Sequence, residues 1–346
     1  MKILYQIPSL ESVYAARFIY EGYKDAFISL GHDFMPLTSE DDMEKIFDKF
    51  QPDIFMYSIN FYTIKFLDFE LLKRYRKKWL VVFCQISPWK KQNNQRWSFL
   101  SDYSNIVNLI KEGFAGDIFH HRMEQDAVVM NGFTENTWYK RNTLLLAANT
   151  ELFYPDYDEN FKSDISYVGS YLWDKKLFMR EYLLPLKRKY NVKLYGSDWT
   201  STDRAMGYIQ KIGQYFNINF LKKVRSIKLK LDEERKVYTS STISLNIHEA
   251  HQRKDGYDVN ERTFKIIASG WFEICDNVKI LRKYFDEKEL VIGKNKQDWY
   301  EKINYYINNP EKRIPIIKAG REKVLKHHTY HNRVRDIIDM YNEFKK

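Results

Sequence analysis

Residues 260–277, NERTFKIIASGWFEICDN, run from a polar, charged turn through one short helical stretch and a glycine straight into an apolar strand. Asn260 is a good helix N-cap, with Thr263 at the third helical position. Phe264, Ile267 and Ala268 give the helix a buried face, and Gly270 suits the left-handed residue just past a helix C-terminus. WFEICDN then reads as a strand ending in Asp276 and Asn277. A short helix delivered directly onto a buried strand belongs to an alternating α/β chain.

The same alternation extends in both directions. In the first half, KILYQI (2–7), DIFMYSI (53–59), WLVVFCQI (79–86) and TLLLAA (143–148) read as strands. Between the first two, AARFIYEGYKDAFISLG (15–31) and EDDMEKIFDKF (40–50) show helical spacing. A polar, turn-rich break follows at NTELFYPDYDENFKSD (149–164), and the pattern restarts with ISYVGS, a helix over about 174–190, VKLYGSDW, a long helical region, ISLNIHEA, the opening stretch and ELVIGKN. The last fifty or so residues read as helices. Parallel α/β sheets in two domains are the expectation, and 346 residues are ample for two cores.

Bulk properties narrow the function. With 44% hydrophobic residues, 26 Tyr and 23 Phe, the chain is globular rather than disordered. No export signal is legible and no apolar run approaches the roughly 18 residues of a membrane span, so a cytoplasmic protein is expected. The two cysteines, Cys84 and Cys275, lie in strand-like runs, which predicts buried free thiols and excludes a four-cysteine zinc site. Fifty-six cations against 46 acids leave a formal charge of +10. That excess suits an anionic ligand or contact with the anionic inner face of a membrane, and KKVRSIKLK (222–230) is its densest block. Nucleic acid is not expected, because no basic stripe with interleaved aromatics is evident.

In parallel sheets, ligands gather beyond the carboxyl ends of the strands. Here those ends are Gly169-Ser170, Gly196-Ser197-Asp198-Trp199, His248-Glu249, Asp276-Asn277 and Gly293-Lys294. The helix that starts at Asn260 would aim free N–H groups and Arg262 outward from the sheet, with Lys265 one turn on, as an anion cradle for a diphosphate. By themselves these residues fit an ordinary charged surface helix equally well.

From about residue 164 to 335 the chain resembles the CgeB-like (spore maturation protein type) glycosyltransferases. ISLNIHEA with NERTFKIIASGWFEICDN looks like that family's Asn-x-His strand and its N-x-R-T-F-E-x-x-A-x-G block; DISYVGS, VKLYGSDW and the tail INNPEKRIPIIKAGREKVLKHHTYHNRV support it. The resemblance implies the GT-B fold, an α/β architecture of two Rossmann-like domains facing a central cleft. Residues 1–155 would form the acceptor-side domain, 156–330 the donor domain, and 331–346 a helix packing back on the first. It implies transfer from a nucleotide-diphosphate sugar, a UDP-sugar first, to a glycan or protein acceptor, with no metal and no cofactor. Carried over by position, Arg262 and Thr263 would meet the diphosphate beside Asn260, Glu261 and Lys265, and Asn246 and His248 would line the donor pocket. Gly169 and Ser170 would sit under the phosphates, with Tyr195, Gly196 and Trp199 near the base or sugar. One departure stands out: Lys265 replaces the family's Glu, and a lysine cannot accept hydrogen bonds from a ribose diol. Glu261 takes that contact, Lys265 binds phosphate instead, or donor binding is altered or lost, which would leave a catalytically silent binding module.

Transfer to a hydroxyl also calls for a base in an inverting enzyme. HHRMEQD (120–126) offers His120, His121, Glu124 and Asp126, of which His121 and Glu124 are the candidates, and Arg262 would stabilise the leaving group. His327 and His328 diverge by about 100° on a helix and do not readily share an ion. No P-loop, GxSxG, HExxH or GxGxxG occurs, so kinase, hydrolase and dehydrogenase readings lack support.

Overall fold

A computed structural model describes residues 1–10, 15–91, 99–225 and 229–346, in two compact units. Part of the basic block, 226–228, lies outside the described residues.

The first unit is Met1–Leu145 with His331–Lys346. Its elements are β1 (Lys2–Gln6), α1 (Ala15–Ser29), β2 (Asp33–Leu37), α2 (Met43–Phe50), β3 (Ile54–Ser58), α3 (Phe69–Arg76), β4 (Val81–Gln85), α4 (Ser104–Lys111), β5 (Ile118–His121), α5 (Phe133–Thr137) and β6 (Arg141–Thr143). The strands form one parallel sheet in the order β2-β1-β3-β4-β5-β6. Helices between consecutive strands cover both faces, which is why β3 and β4 are nearly continuous apolar runs. Cys84 in β4 is a buried free thiol, and burial pushes its pKa up to about 12.

Sequence periodicity gave no sign of β2 or β5. Strand β2 is half-exposed and contains Pro36, tolerated because the strand is the sheet edge; β5 has four residues. The expected strand at 143–148 ends where it was to begin, at Thr143.

The second unit, Leu146–Tyr330, holds β7 (Ser163–Val168), α6 (Lys176–Phe178), β8 (Val192–Tyr195), α7 (Ser201–Tyr215), α8 (Asn219–Lys222), α9 (Glu233–Thr239), β9 (Ser241–Asn246), α10 (Ala250–Asp255), α11 (Glu261–Ala268), β10 (Glu273–Asp276), α12 (Leu281–Tyr284), β11 (Val291–Gly293), α13 (Lys296–Asn308) and α14 (Arg313–His327). Its sheet is parallel in the order β11-β10-β9-β7-β8, with Tyr167, Leu245, Ile274 and Trp299 in its core. The chain leaves β7 for β8 on one side, then crosses by α7, α8 and α9 to β9 on the other. At such a reversal the loops leaving the two central strands part company and open a crevice at their carboxyl ends.

The last helix, α15 (Tyr330–Lys345), joins the first unit from His331 onward. Arg333 Nε donates to the Leu145 carbonyl at 3.1 Å, and His331 meets Ser29 Oγ at 2.7 Å. Among the described residues no helix is long and apolar enough to cross a membrane.

Candidate functional site

Helix α11 begins beside the ends of β7 and β9. Asn260 caps that helix by accepting from the Thr263 N–H at 3.3 Å, and Gly270 leaves it at φ +69°. Asn246, the last residue of β9, ties the helix to the strand. Its amide donates to Thr263 Oγ1 and to Glu273 Oε1, both at 2.8 Å, while its Oδ1 accepts from Asn260 at 2.9 Å and from the Arg262 guanidinium at 2.8 Å. Burial pushes the Glu273 carboxyl well above the usual carboxylate range even though Asn246 donates to it.

Arg262 is the side chain this scaffold presents. Besides Asn246 it donates to the Ile247 carbonyl at 3.3 Å, and its guanidinium lies 5.2 Å from the Tyr167 ring centroid. Its free end reaches Gly169: a Cβ there would stand 2.8 Å from Arg262 Nη2 and 2.6 Å from the Tyr167 hydroxyl. Gly169 is therefore glycine because the Tyr167 hydroxyl and the Arg262 guanidinium occupy the space of a side chain. Gly196, at φ +115°, presses against it from the β8 loop, where a Cβ would come within 2.6 Å of the Gly169 carbonyl oxygen. Trp199 completes the contact, donating from Nε1 to the same carbonyl at 3.0 Å, and Ser170 follows half-buried.

A second cation was not singled out from the sequence. Lys175, in the loop after β7, is 1% exposed; its Nζ lies 2.5 Å from Glu249 Oε1 and 3.5 Å from the Ile247 carbonyl. Burial alone would raise the pKa of Glu249, but Lys175, Arg262 and His251 bring it below the ordinary value. The strand ends thus gather two cations around one ionised carboxylate. The only sequence signal for Lys175 was its place in the loop leaving Gly169-Ser170.

Six expected ligand contacts are placed differently. Asn246, His248 and Thr263 do not line a pocket: each is 0% exposed and bonded beneath Arg262. His248 Nδ1 lies 2.6 Å from Asp276 Oδ1, and its Nε2 lies 3.4 Å from the Thr263 hydroxyl. Burial works to raise Asp276, and His248 with Arg253 holds it below the usual range. Lys265 does not project outward as part of an anion cradle. It is 6% exposed, its Nζ lies 2.6 Å from Glu234 Oε1 and 3.8 Å from Glu261 Oε2, and the Phe153 ring sits 5.2 Å away. Glu261, buried beside it, accepts from the Tyr330 hydroxyl at 2.8 Å. Tyr195 contributes its carbonyl, which accepts from the Gly169 N–H at 2.8 Å, while its ring packs toward Phe161.

Residues 176–339 match a family described as glycosyl transferase-like. No curated protein matches the chain in sequence. Among solved structures, an alpha-glucosyltransferase in complex with UDP superposes with a TM-score of 0.64 at 11% identity over 99% of each chain. Sucrose-phosphate synthase from Thermosynechococcus elongatus does so at 0.63 and 11%, covering 99% of this chain and 98% of that one. HepE from Anabaena, in complex with UDP and glucose, gives 0.61 and 10% over 99% of each. The chain has the GT-B fold of these transferases.

In this fold the Gly169–Gly196 contact is a sharp structural requirement. Gly196→Ala is expected to cost about 2 to 3 kcal/mol, since alanine meets both an unfavourable φ and a backbone oxygen. Denaturant unfolding checks this, and a loss under 0.5 kcal/mol would refute the close approach.

The candidate bases lie in the first unit, at and just after the end of β5. His121 is 0% exposed; its Nδ1 accepts from the Met123 N–H at 3.2 Å, so the ring proton sits on Nε2, which is buried without a partner. As placed, His121 has its Nδ1 lone pair occupied and its Nε2 proton enclosed in the protein. Burial and the nearby Arg141 lower its pKa to about 4; burial, Arg122 and His121 lower that of His120 to about 3. Glu124 is half-buried and Asp126 exposed. Both histidines titrate near 6.5 when unfolded, so between pH 6.5 and 4 the unfolded chain binds more protons and stability falls as pH is lowered. The slope approaches about 1.4 kcal/mol per pH unit for each histidine. Unfolding of His121→Asn across that range should show the slope reduced by one proton; an unchanged slope would contradict the burial. Among the described residues, no three His, Cys, Asp or Glu side chains group so that they could hold a metal ion.

Proposed function

We propose that this chain, a CgeB-like member of the GT-B transferases, moves a sugar from a nucleoside diphosphate, UDP first, onto a hydroxyl of a glycan or protein acceptor in the cytoplasm without a metal ion. In the reaction the bond from the sugar's anomeric carbon to the diphosphate breaks, the electron pair stays on the diphosphate, and the acceptor oxygen bonds to that carbon as it loses its proton. Charge grows on the leaving diphosphate, and what stabilises it sets the rate.

The observation that supports this reading is Arg262, held by Asn246 and Ile247 over the glycine that ends β7. A charge-assisted donor fixed before the ligand arrives needs little reorganisation. Lys175 is the second cation within reach, and a diphosphate would compete with Glu249 for it. The neighbours that contain UDP agree with the donor class.

Calorimetric titration with UDP, GDP, TDP and CMP, followed by UDP release from UDP-sugars with and without EDTA, tests the proposal. Micromolar binding of one diphosphate, with acceptor-dependent release that EDTA leaves unchanged, is the expected result. Binding without release across a broad acceptor panel would favour a silent binding module, a reading that Lys265 in place of the family's glutamate keeps in play. Binding of none would overturn both.

A further inference from the structure

Helix α7 is amphipathic in the reverse sense. Its buried residues are Asp203, Gly207, Gln210 and Gly213, polar or without a side chain, whereas Tyr208, Ile212, Tyr215 and Phe216 are 49 to 68% exposed. Those four recur at i, i+4, i+7 and i+8, which is one stripe of a helix. Phe220 in α8 adds a fifth exposed apolar side chain, at 73%.

The inner face is built to keep that stripe outside. A Cβ at Gly207 would stand 3.1 Å from the guanidinium of Arg225, which is buried and ion-paired to Asp198 at 2.6 Å and Asp203 at 3.1 Å. At Gly213 a Cβ would fall 2.5 Å from Leu221 Cβ, so the glycine admits the chain of α8. Glycine within a helix weakens it, and the fold accepts two of them in order to bury an ion pair and leave aromatic rings in water.

The charge around the stripe has one sign. The described residues of 199–231 include six cations and one acid, Asp203, which is already bound to Arg225. Arg204 and Lys211 are exposed along one edge, with Lys211 Nζ 5.7 Å from the Tyr208 ring centroid, and Lys223 and Lys230 are exposed beyond α8.

We propose that the exposed face of α7 and α8 docks on an anionic lipid bilayer, its aromatic and isoleucine side chains entering the interfacial layer while the flanking cations meet the headgroups. Lipid is favoured over nucleic acid because the middle of the face is apolar and the cations stand at its edge, whereas a phosphate backbone needs cations at the centre of contact. A second copy is disfavoured because pairing two such faces brings like charges together.

The test is co-sedimentation of the whole chain with phosphatidylcholine vesicles, with and without about one-third phosphatidylglycerol. Wild type should bind the anionic vesicles at least about tenfold better than the neutral ones. The triple variant Tyr208→Ser, Phe216→Ser, Phe220→Ser should lose binding to both while keeping its melting temperature. Arg204→Gln with Lys211→Gln should lose only the preference for anionic lipid. Failure of wild type to sediment, or equal binding by the triple variant, overturns the proposal. Concentration-dependent dimers abolished by the triple variant, without vesicle binding, would assign the face to a second copy; duplex DNA binding without vesicle binding would assign it to nucleic acid.

Discussion

Arg262→Ala is expected to lower kcat/KM for sugar transfer by about a hundred- to a thousandfold, the usual cost of removing one preorganised donor to developing charge. The guanidinium is oriented before any ligand arrives, by Asn246 Oδ1 at 2.8 Å and the Ile247 carbonyl at 3.3 Å, with the Tyr167 ring centroid 5.2 Å away and Gly169 beside it. Alanine removes the charge and leaves Asn246 Oδ1 bonded to Asn260, so the scaffold keeps its main contacts and the effect should appear in catalysis far more than in folding. Arg262→Lys gives a second reading. Lysine restores a cation but not the planar fork that spans strand end and crevice, so only a small part of the lost rate should return. Steady-state kinetics with a nucleotide sugar, alongside a melting curve for each variant, measure both. An alanine variant within about threefold of wild type would remove Arg262 from the chemistry.

Lys265→Glu should be the most destabilising of the charge changes considered, with a loss of about 3 to 5 kcal/mol. From sequence the substitution looks like a return to the family residue. In the structure it would set a third carboxylate where Lys265 Nζ now stands, 2.6 Å from Glu234 and 3.8 Å from Glu261, all three side chains at most 7% exposed. Removing one partner of a buried pair already strands the other charge, and reversing it adds repulsion. The companion experiment exchanges the pair, Lys265→Glu with Glu234→Lys. Recovery of most of the lost stability in the double variant would show that the two residues are one unit, and a loss equal to the sum of the single changes would show that they are not.

These two residues also show how far reading the sequence could reach. The alternation of apolar runs with helical spacing was enough for two parallel α/β sheets, because strands covered on both faces are nearly continuous in apolar residues. Asn260 and Gly270 announced the ends of α11 through capping chemistry that depends on neighbours a few residues away. The place of Arg262 in the first turn of that helix was legible for the same reason. Lys265 was misread because its partner, Glu234, is thirty-one positions earlier on another helix, and local spacing carries no trace of such a pair. Lys175 was missed for the same cause: what makes it part of the site is Glu249, supplied by the end of a different strand. His248 looked like a ligand residue because it follows a strand, yet Asp276 at the end of the neighbouring strand turns its ring inward.

The first unit is discontinuous, Met1–Leu145 with His331–Lys346, while the second is one unbroken stretch, Leu146–Tyr330. During synthesis the order of completion is therefore the reverse of the order of beginning. The second unit has its whole sequence available once Tyr330 has emerged, whereas the first, begun earlier, still lacks the helix whose Arg333 bonds to Leu145. Domains tend to fold as units as they leave the ribosome, so the six-stranded sheet must wait, incompletely covered, while the 185 residues of Leu146–Tyr330 are translated. Throughout that interval, whatever apolar surface the last helix covers stays open to wrong contacts.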